Sequence, residues 1–99
     1  SSVCAAFNLE IIKNKIEVIR IAYGGMAAIP KRARLCEKVL LNSSINDETI
    51  HKAKEALEKD FKPINDMRAS GPYRMEVAKN LLEKCCVEIK QKKLIGLYA

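Results

Sequence analysis

Tryptophan is absent from the 99 residues, histidine occurs once, and the aromatic side chains are limited to two phenylalanines and three tyrosines. So few, scattered rings cannot interleave with the basic residues to form a base-stacking platform, which argues against nucleic acid as a partner. No apolar run approaches the ~18 residues of a membrane-spanning helix. No basic stretch leading into an apolar one opens the sequence, so no secretory signal is expected. The phosphate-cradling patterns G-x-x-x-x-G-K-[ST] and G-x-G-x-x-G are both missing. The four cysteines, Cys4, Cys36, Cys85 and Cys86, contain no C-x-x-C pair, so zinc-ribbon and thioredoxin-like chemistry are excluded. His51 has no Cys, Asp or Ser at catalytic spacing and reads as a solvent-facing helical residue. Asp60, Asp66 and the helix glutamates form no inward-facing carboxylate pair. The expectation is therefore a chain with no catalytic, metal-ligating or cofactor-binding residue of its own.

What is present is ordinary globular composition, 48% hydrophobic and 30% charged, in a length that supports one thin core and a single domain over residues 1–99. The net charge of +6 concentrates in Lys31, Arg32, Arg34 and Lys38 and in the tail Lys90, Lys92 and Lys93. Such clusters read as a solvated basic face or a subunit contact. Four free, mostly buried thiols fit a reducing cytoplasm better than a disulfide framework.

Strands come first. Val3, Ala5, Phe7, Leu9 and Ile11 alternate with polar or small residues over about 2–12, and β-branched residues resume over about 16–24 after the break Lys13-Asn14-Lys15. Together they predict an antiparallel hairpin with Ile19, Ile21 and Tyr23 on its core face. Gly24-Gly25 lets the chain turn or be approached closely. Met26–Ile29 is the expected third strand, cut short by Pro30. Helices are predicted over about 32–41, with Leu35, Val39 and Leu40 inward, and over 47–61 behind an Asn46 cap. A third spans about 71–93, with Ser70 as cap and Val77, Ala78, Leu81, Leu82, Cys85 and Ile89 as its buried stripe. Residues beyond it read as a fraying end. The fold class is α+β: a three-stranded antiparallel β-meander against three α-helices. The other sheet face keeps Cys4, Ala6, Ile12, Ile16, Val18 and Ala22, an apolar surface of the kind that meets another domain. In the segment Asn65–Arg74, Asp66 and Arg68 either fix a loop while Tyr73 packs into the helix junction, or the segment serves as an interface.

Three segments carry a resemblance. Ala22-Tyr23-Gly24-Gly25-Met26-Ala27-Ala28-Ile29-Pro30-Lys31-Arg32-Ala33 is similar to the A-x-G-G-M-A-x-x-P-x-R-A stretch of molybdenum hydroxylase flavoproteins. Asp66-Met67-Arg68-Ala69-Ser70-Gly71-Pro72-Tyr73-Arg74 resembles their D-x-R-A-S-x-x-Y-R approach to the last helix, with Gly71-Pro72 departing from the commoner Ala-Glu or Ala-Asp. Ser1–Phe7 resembles the start of their C-terminal domain, so the likeness runs from Ser1 to Ile89; the basic end beyond matches nothing in the family pattern.

The resemblance implies the C-terminal domain of the FAD-binding subunit of xanthine dehydrogenase and its relatives, a fold like that of the CO dehydrogenase flavoprotein C-terminal domain. In such enzymes electrons pass from a molybdenum cofactor through iron–sulfur clusters to FAD and on to NAD or another acceptor. It implies that those cofactors belong to the parent enzyme and not to this chain. The implied partners are the FAD-binding domain of the same subunit and the molybdenum-cofactor subunit, with no nucleic acid and no membrane. The charged segment that in the family lies near the flavin precedes the position matching Ser1. The expected role is scaffolding, with the isolated domain catalytically inactive. Structural or interface candidates are Gly24, Gly25, Lys31, Arg32, Asp66, Arg68, Ser70, Tyr73 and Arg74. The alternative is a stand-alone basic α+β module for RNA or an acidic protein partner.

Overall fold

A computed structural model describes residues 3–61 and 71–98. Two long strands, β1 (Cys4–Ile12) and β2 (Lys15–Gly24), and a two-residue β3 (Lys31–Arg32) are followed by α1 (Arg34–Leu40), α2 (Asp47–Asp60) and α3 (Gly71–Tyr98). The sheet is antiparallel in the order β1-β2-β3, so the α+β meander expected from the sequence is the architecture found. The expected loop at 63–69 and the Ser70 cap lie outside the described residues.

Lys13 and Asn14 join β1 to β2 with positive φ angles of 52° and 66°. That pattern belongs to the tight turns whose twist matches paired strands. The register is regular from Cys4↔Gly24 to Glu10↔Val18 and then skips to Ile11↔Ile16, leaving Glu17 as an extra residue. This bulge corrects one expectation. Slipping by one residue flips side chains across the sheet, so Ile16 turns inward and is fully buried instead of joining the outer face. Its backbone also bonds the α1–α2 connection: Asn42 N–H donates to Ile16 O at 2.8 Å, and Ile16 N–H to Ser43 O at 3.0 Å.

The third strand forms at Lys31–Arg32 and not at Met26–Ile29. Gly25 at φ 86° swings the chain out of the sheet, Met26 plugs the core, and Pro30 has no amide to donate. Pairing resumes only beyond the proline, with Ala22↔Arg32 and Tyr23↔Lys31. The first helix consequently starts at Arg34, and its inward positions are Cys36, Glu37 and Leu40. Leu35, expected inside, is 45% exposed. In α3, Ala78 and Leu82 are buried and Val77, Leu81, Cys85 and Ile89 half-buried, as expected, and Cys86, which the expected stripe omits, is buried as well. The backbone of α3 stays helical through Tyr98 where fraying was expected; of residues 90–98 only Gly96 strongly disfavours helix.

Tyr23 is the centre of the core. Its ring meets Phe7 edge-on at 6.0 Å and Phe61 at 5.6 Å, and its hydroxyl donates to Ala78 O at 2.8 Å. Around it Ile16, Ile21, Leu40, Leu57 and Leu82 are fully buried, each stabilising by about 1.5–3 kcal/mol. Lys54–Glu83 and Lys79–Glu58 ion pairs clasp α2 to α3. At about 1.5 Å per residue α3 is roughly 42 Å long, which explains a molecule 49 × 21 × 21 Å.

Candidate functional site

The two sequence motifs meet in space. Gly24 closes the β1–β2 ladder opposite Cys4, and a Cβ there would lie 2.8 Å from Cys4 Sγ. Gly25 then takes its positive φ, and its carbonyl accepts a 2.7 Å hydrogen bond from Arg74 Nη1. Arg74 stands in the first turn of α3, 49 residues further along the chain. Of the two expectations for Tyr73, packing into this junction is not what the structure shows, because the side chain is 72% exposed. Neighbouring residues on a helix point about 100° apart, so the turn that aims Arg74 inward aims Tyr73 at solvent. Asp66, Arg68 and Ser70 lie outside the described residues.

Lys31 and Arg32, the start of the basic cluster, are held within the chain. Lys31 Nζ donates to Asp60 O at 2.8 Å and sits 5.4 Å from the centre of the Phe61 ring. Arg32 forks onto Glu37, Nη2 to Oε1 at 2.7 Å and Nε to Oε2 at 3.1 Å. Glu37 Oε2 also accepts the Ile21 amide at 2.8 Å. Burial pushes the Glu37 carboxyl up, but the Arg32 bonds, the Ile21 amide and the nearby Arg34 charge outweigh it and hold the group below the usual carboxylate range. The hydrogen bond to Glu37 raises Arg32 in turn. Arg34 and Lys38 are exposed and make no hydrogen bond or ion pair among the described residues, Arg34 acting on Glu37 through its charge alone.

Asp60 performs a task the sequence reading missed. Its two carboxylate oxygens accept the amides of Leu35 and Cys36, each at 2.9 Å, so the end of α2 caps the start of α1 across 24–25 residues. One signal for it was available. An acid in the last turn of a helix faces the negative end of the dipole, which suggests that a different element needs the charge.

These groups suit structure and not bond-making. Burial pushes the Cys36 and Cys86 thiols up to about 12 and raises the Tyr23 phenol as well, so all three stay protonated. His51 is an exposed side chain 3.8 Å from Glu55. Among the described residues no three His, Cys, Asp or Glu side chains gather as metal ligands, and no helix is long and apolar enough to cross a membrane.

Comparison with known proteins gives a consistent picture. Residues 1–89 match the family described as CO dehydrogenase flavoprotein C-terminal domain. The glyceraldehyde dehydrogenase medium chain of Sulfolobus acidocaldarius is 35% identical over 84 residues, covering 85% of this chain and 30% of that protein. Quinoline 2-oxidoreductase from Pseudomonas putida 86 has the same fold, with a TM-score of 0.74 at 23% identity over 91% of this chain and 32% of that one. Reconstituted CO dehydrogenase from Oligotropha carboxidovorans gives a TM-score of 0.71 at 26% identity, covering 83% and 29%. The chain thus spans about a third of the length of these relatives, and residues 90–98 of α3 extend past the family match.

Proposed function

The chain belongs to the CO dehydrogenase flavoprotein C-terminal domain family, and on that premise we propose that it is the scaffolding domain of a xanthine-dehydrogenase-like flavoprotein subunit. In this reading it supports an FAD-binding domain, within a cytoplasmic oxidoreductase that carries electrons from a molybdenum site to NAD or another acceptor. The FAD-binding domain and the molybdenum-cofactor subunit are its partners.

One observation carries the reading. The polar groups of the family-like motifs are directed at the chain itself: Arg74 holds the Gly25 carbonyl, Arg32 holds Glu37, and Lys31 holds the Asp60 carbonyl. A domain whose motif residues lock its own turns offers neighbours a rigid surface. The outer sheet face, with Ile12 at 49% and Val18 at 38% exposure, is the surface assigned to the FAD-binding domain.

The Gly24-Gly25 turn does not fit the pyrophosphate of FAD. It leads into an irregular segment and β3, not into a helix N-terminus that could face a pyrophosphate, and Arg74 occupies its carbonyl. No step of flavin chemistry is therefore assigned to this chain.

Size-exclusion chromatography with a separately produced FAD-binding domain from the same enzyme tests the scaffold role. Co-elution is expected, and Val18→Glu should abolish it without altering the circular dichroism of the chain. Independent elution of the two native pieces, or micromolar binding of FAD by this chain alone, would overturn the assignment.

A further inference from the structure

Two cavities join along the outer side of α1 and α2. One of about 610 Å³ has Leu35, Val39 and Ala56 as its apolar floor. It continues past Leu35 and Lys59 into a second of about 500 Å³ under Pro30 and Arg34. The walls carry six cations against three carboxylates. Two of the carboxylates are already engaged: Glu58 takes Lys79 Nζ at 2.8 Å and Asp60 takes two α1 amides, while Glu55 is exposed with His51 at 3.8 Å. Among the cations, Lys31 and Arg32 are held internally and Lys52 pairs with Glu48 at 3.1 Å. Arg34, Lys38 and Lys59 make no hydrogen bond or ion pair among the described residues, Arg34 acting on Glu37 through its charge alone, and all three line the groove with the half-exposed Leu35.

We propose that this groove docks an acidic, leucine-anchored segment of another polypeptide. Arg34 and Lys38 are four residues apart and share one side of α1, while Lys59 faces them from α2. Carboxylates on the incoming segment meet these three cations, and an aliphatic side chain covers Leu35, Val39 and Ala56. This is the amphipathic-helix-in-groove mode, in which apolar anchors supply affinity and rim charges choose the partner. Nucleic acid fits less well. The floor is aliphatic, and the walls of the two cavities contain no aromatic ring for a base to stack on. The groove shares no lining residue with the outer sheet face, so the inference stands apart from the scaffold assignment and survives its failure.

A displayed library of random 16-residue peptides, selected against the full 99-residue chain, tests it. Enrichment of sequences combining Asp or Glu with Leu at helical spacing is expected. Lys38→Glu with Lys59→Glu should weaken the selected peptides at least about tenfold, and Leu35→Ala should weaken them about fivefold, with circular dichroism unchanged. If the charge-reversed chain folds poorly, Lys38→Gln with Lys59→Gln serves instead and should also weaken binding. The proposal is overturned by no enrichment, by enrichment of basic or uncharged peptides, or by affinity indifferent to these substitutions. It is equally overturned if a single-stranded RNA 16-mer displaces the peptides and binds more tightly than they do.

Discussion

Replacing Asp60 with alanine should destabilise this domain far more than the loss of an ordinary helix carboxylate. Two backbone amides, of Leu35 and Cys36, would lose their acceptor in a site where Asp60 is only 7% exposed. Hydrogen bonds to a charged group contribute about 1.5–3 kcal/mol each, and loss of a helix cap typically costs about 0.5–2 kcal/mol. Removing a carboxylate from the unfavourable end of α2 returns about 0.3–1 kcal/mol. The two bonds form one cap and do not add in full, so the net expectation lies between these ranges, a loss of about 2–3 kcal/mol, a large share of the roughly 5–15 kcal/mol by which such domains are stable. Urea unfolding followed by circular dichroism should show a lower midpoint with an unchanged slope. The melting temperature should fall by about 10–20 °C. Asp60→Asn, which keeps one acceptor oxygen, should fall between the two. Asp47→Ala is the control: an exposed acid in the first turn of α2, whose loss should cost no more than about 1 kcal/mol. If Asp60→Ala stays within about 0.5 kcal/mol of the native chain, in the range of ordinary surface changes, the cross-element cap contributes nothing and the account of α1 is wrong.

Glu37→Gln should cost about 1–3 kcal/mol and flatten the acid limb of the stability profile. The native carboxyl lies below its ordinary value of 4.5, so its contribution is present above that pH and lost as pH falls through the folded-state value; identical acid limbs in the two proteins would refute this. Gly25→Ala should cost about 1–2 kcal/mol, because φ at this position is 86° and a side chain there meets the left-handed penalty; a neutral result in urea unfolding would show that the turn relaxes freely. Cys36 and Cys86, buried and pushed up to about 12, should react with a thiol reagent at pH 8 only as fast as the chain opens. Exposed Cys4 should react at once, and rapid labelling of Cys36 in the native state would contradict its placement.

The elements legible in the sequence were those governed by local periodicity. Alternation across Val3–Ile11 marked β1, and Asn46 with Asp47-Glu48 marked the start of α2, where Asn46 Oδ1 accepts the Thr49 amide at 2.8 Å. The errors came from non-local causes. A single bulge at Glu17 reversed the facing of Ile16, and a turn at Gly25 moved the third strand beyond Pro30. Leu35 turned outward because α1 is aimed by a carboxylate 24–25 residues away. Periodicity cannot register such a contact.

The motif residues themselves support a structural reading of the family pattern. Gly25 turns the chain, Met26 and Ala33 are buried, the Ala33 amide bonds Ile21 O at 2.8 Å, Arg32 holds Glu37, and Arg74 of the second motif returns to the first. Motif residues occupied in this way serve the fold of this chain. Side chains free of such duties are the ones open to a partner. Among the described residues the outer sheet face and the Leu35–Lys38–Lys59 groove are two such places. Substitutions in the motifs should therefore register in unfolding experiments, and substitutions on those two surfaces in association experiments.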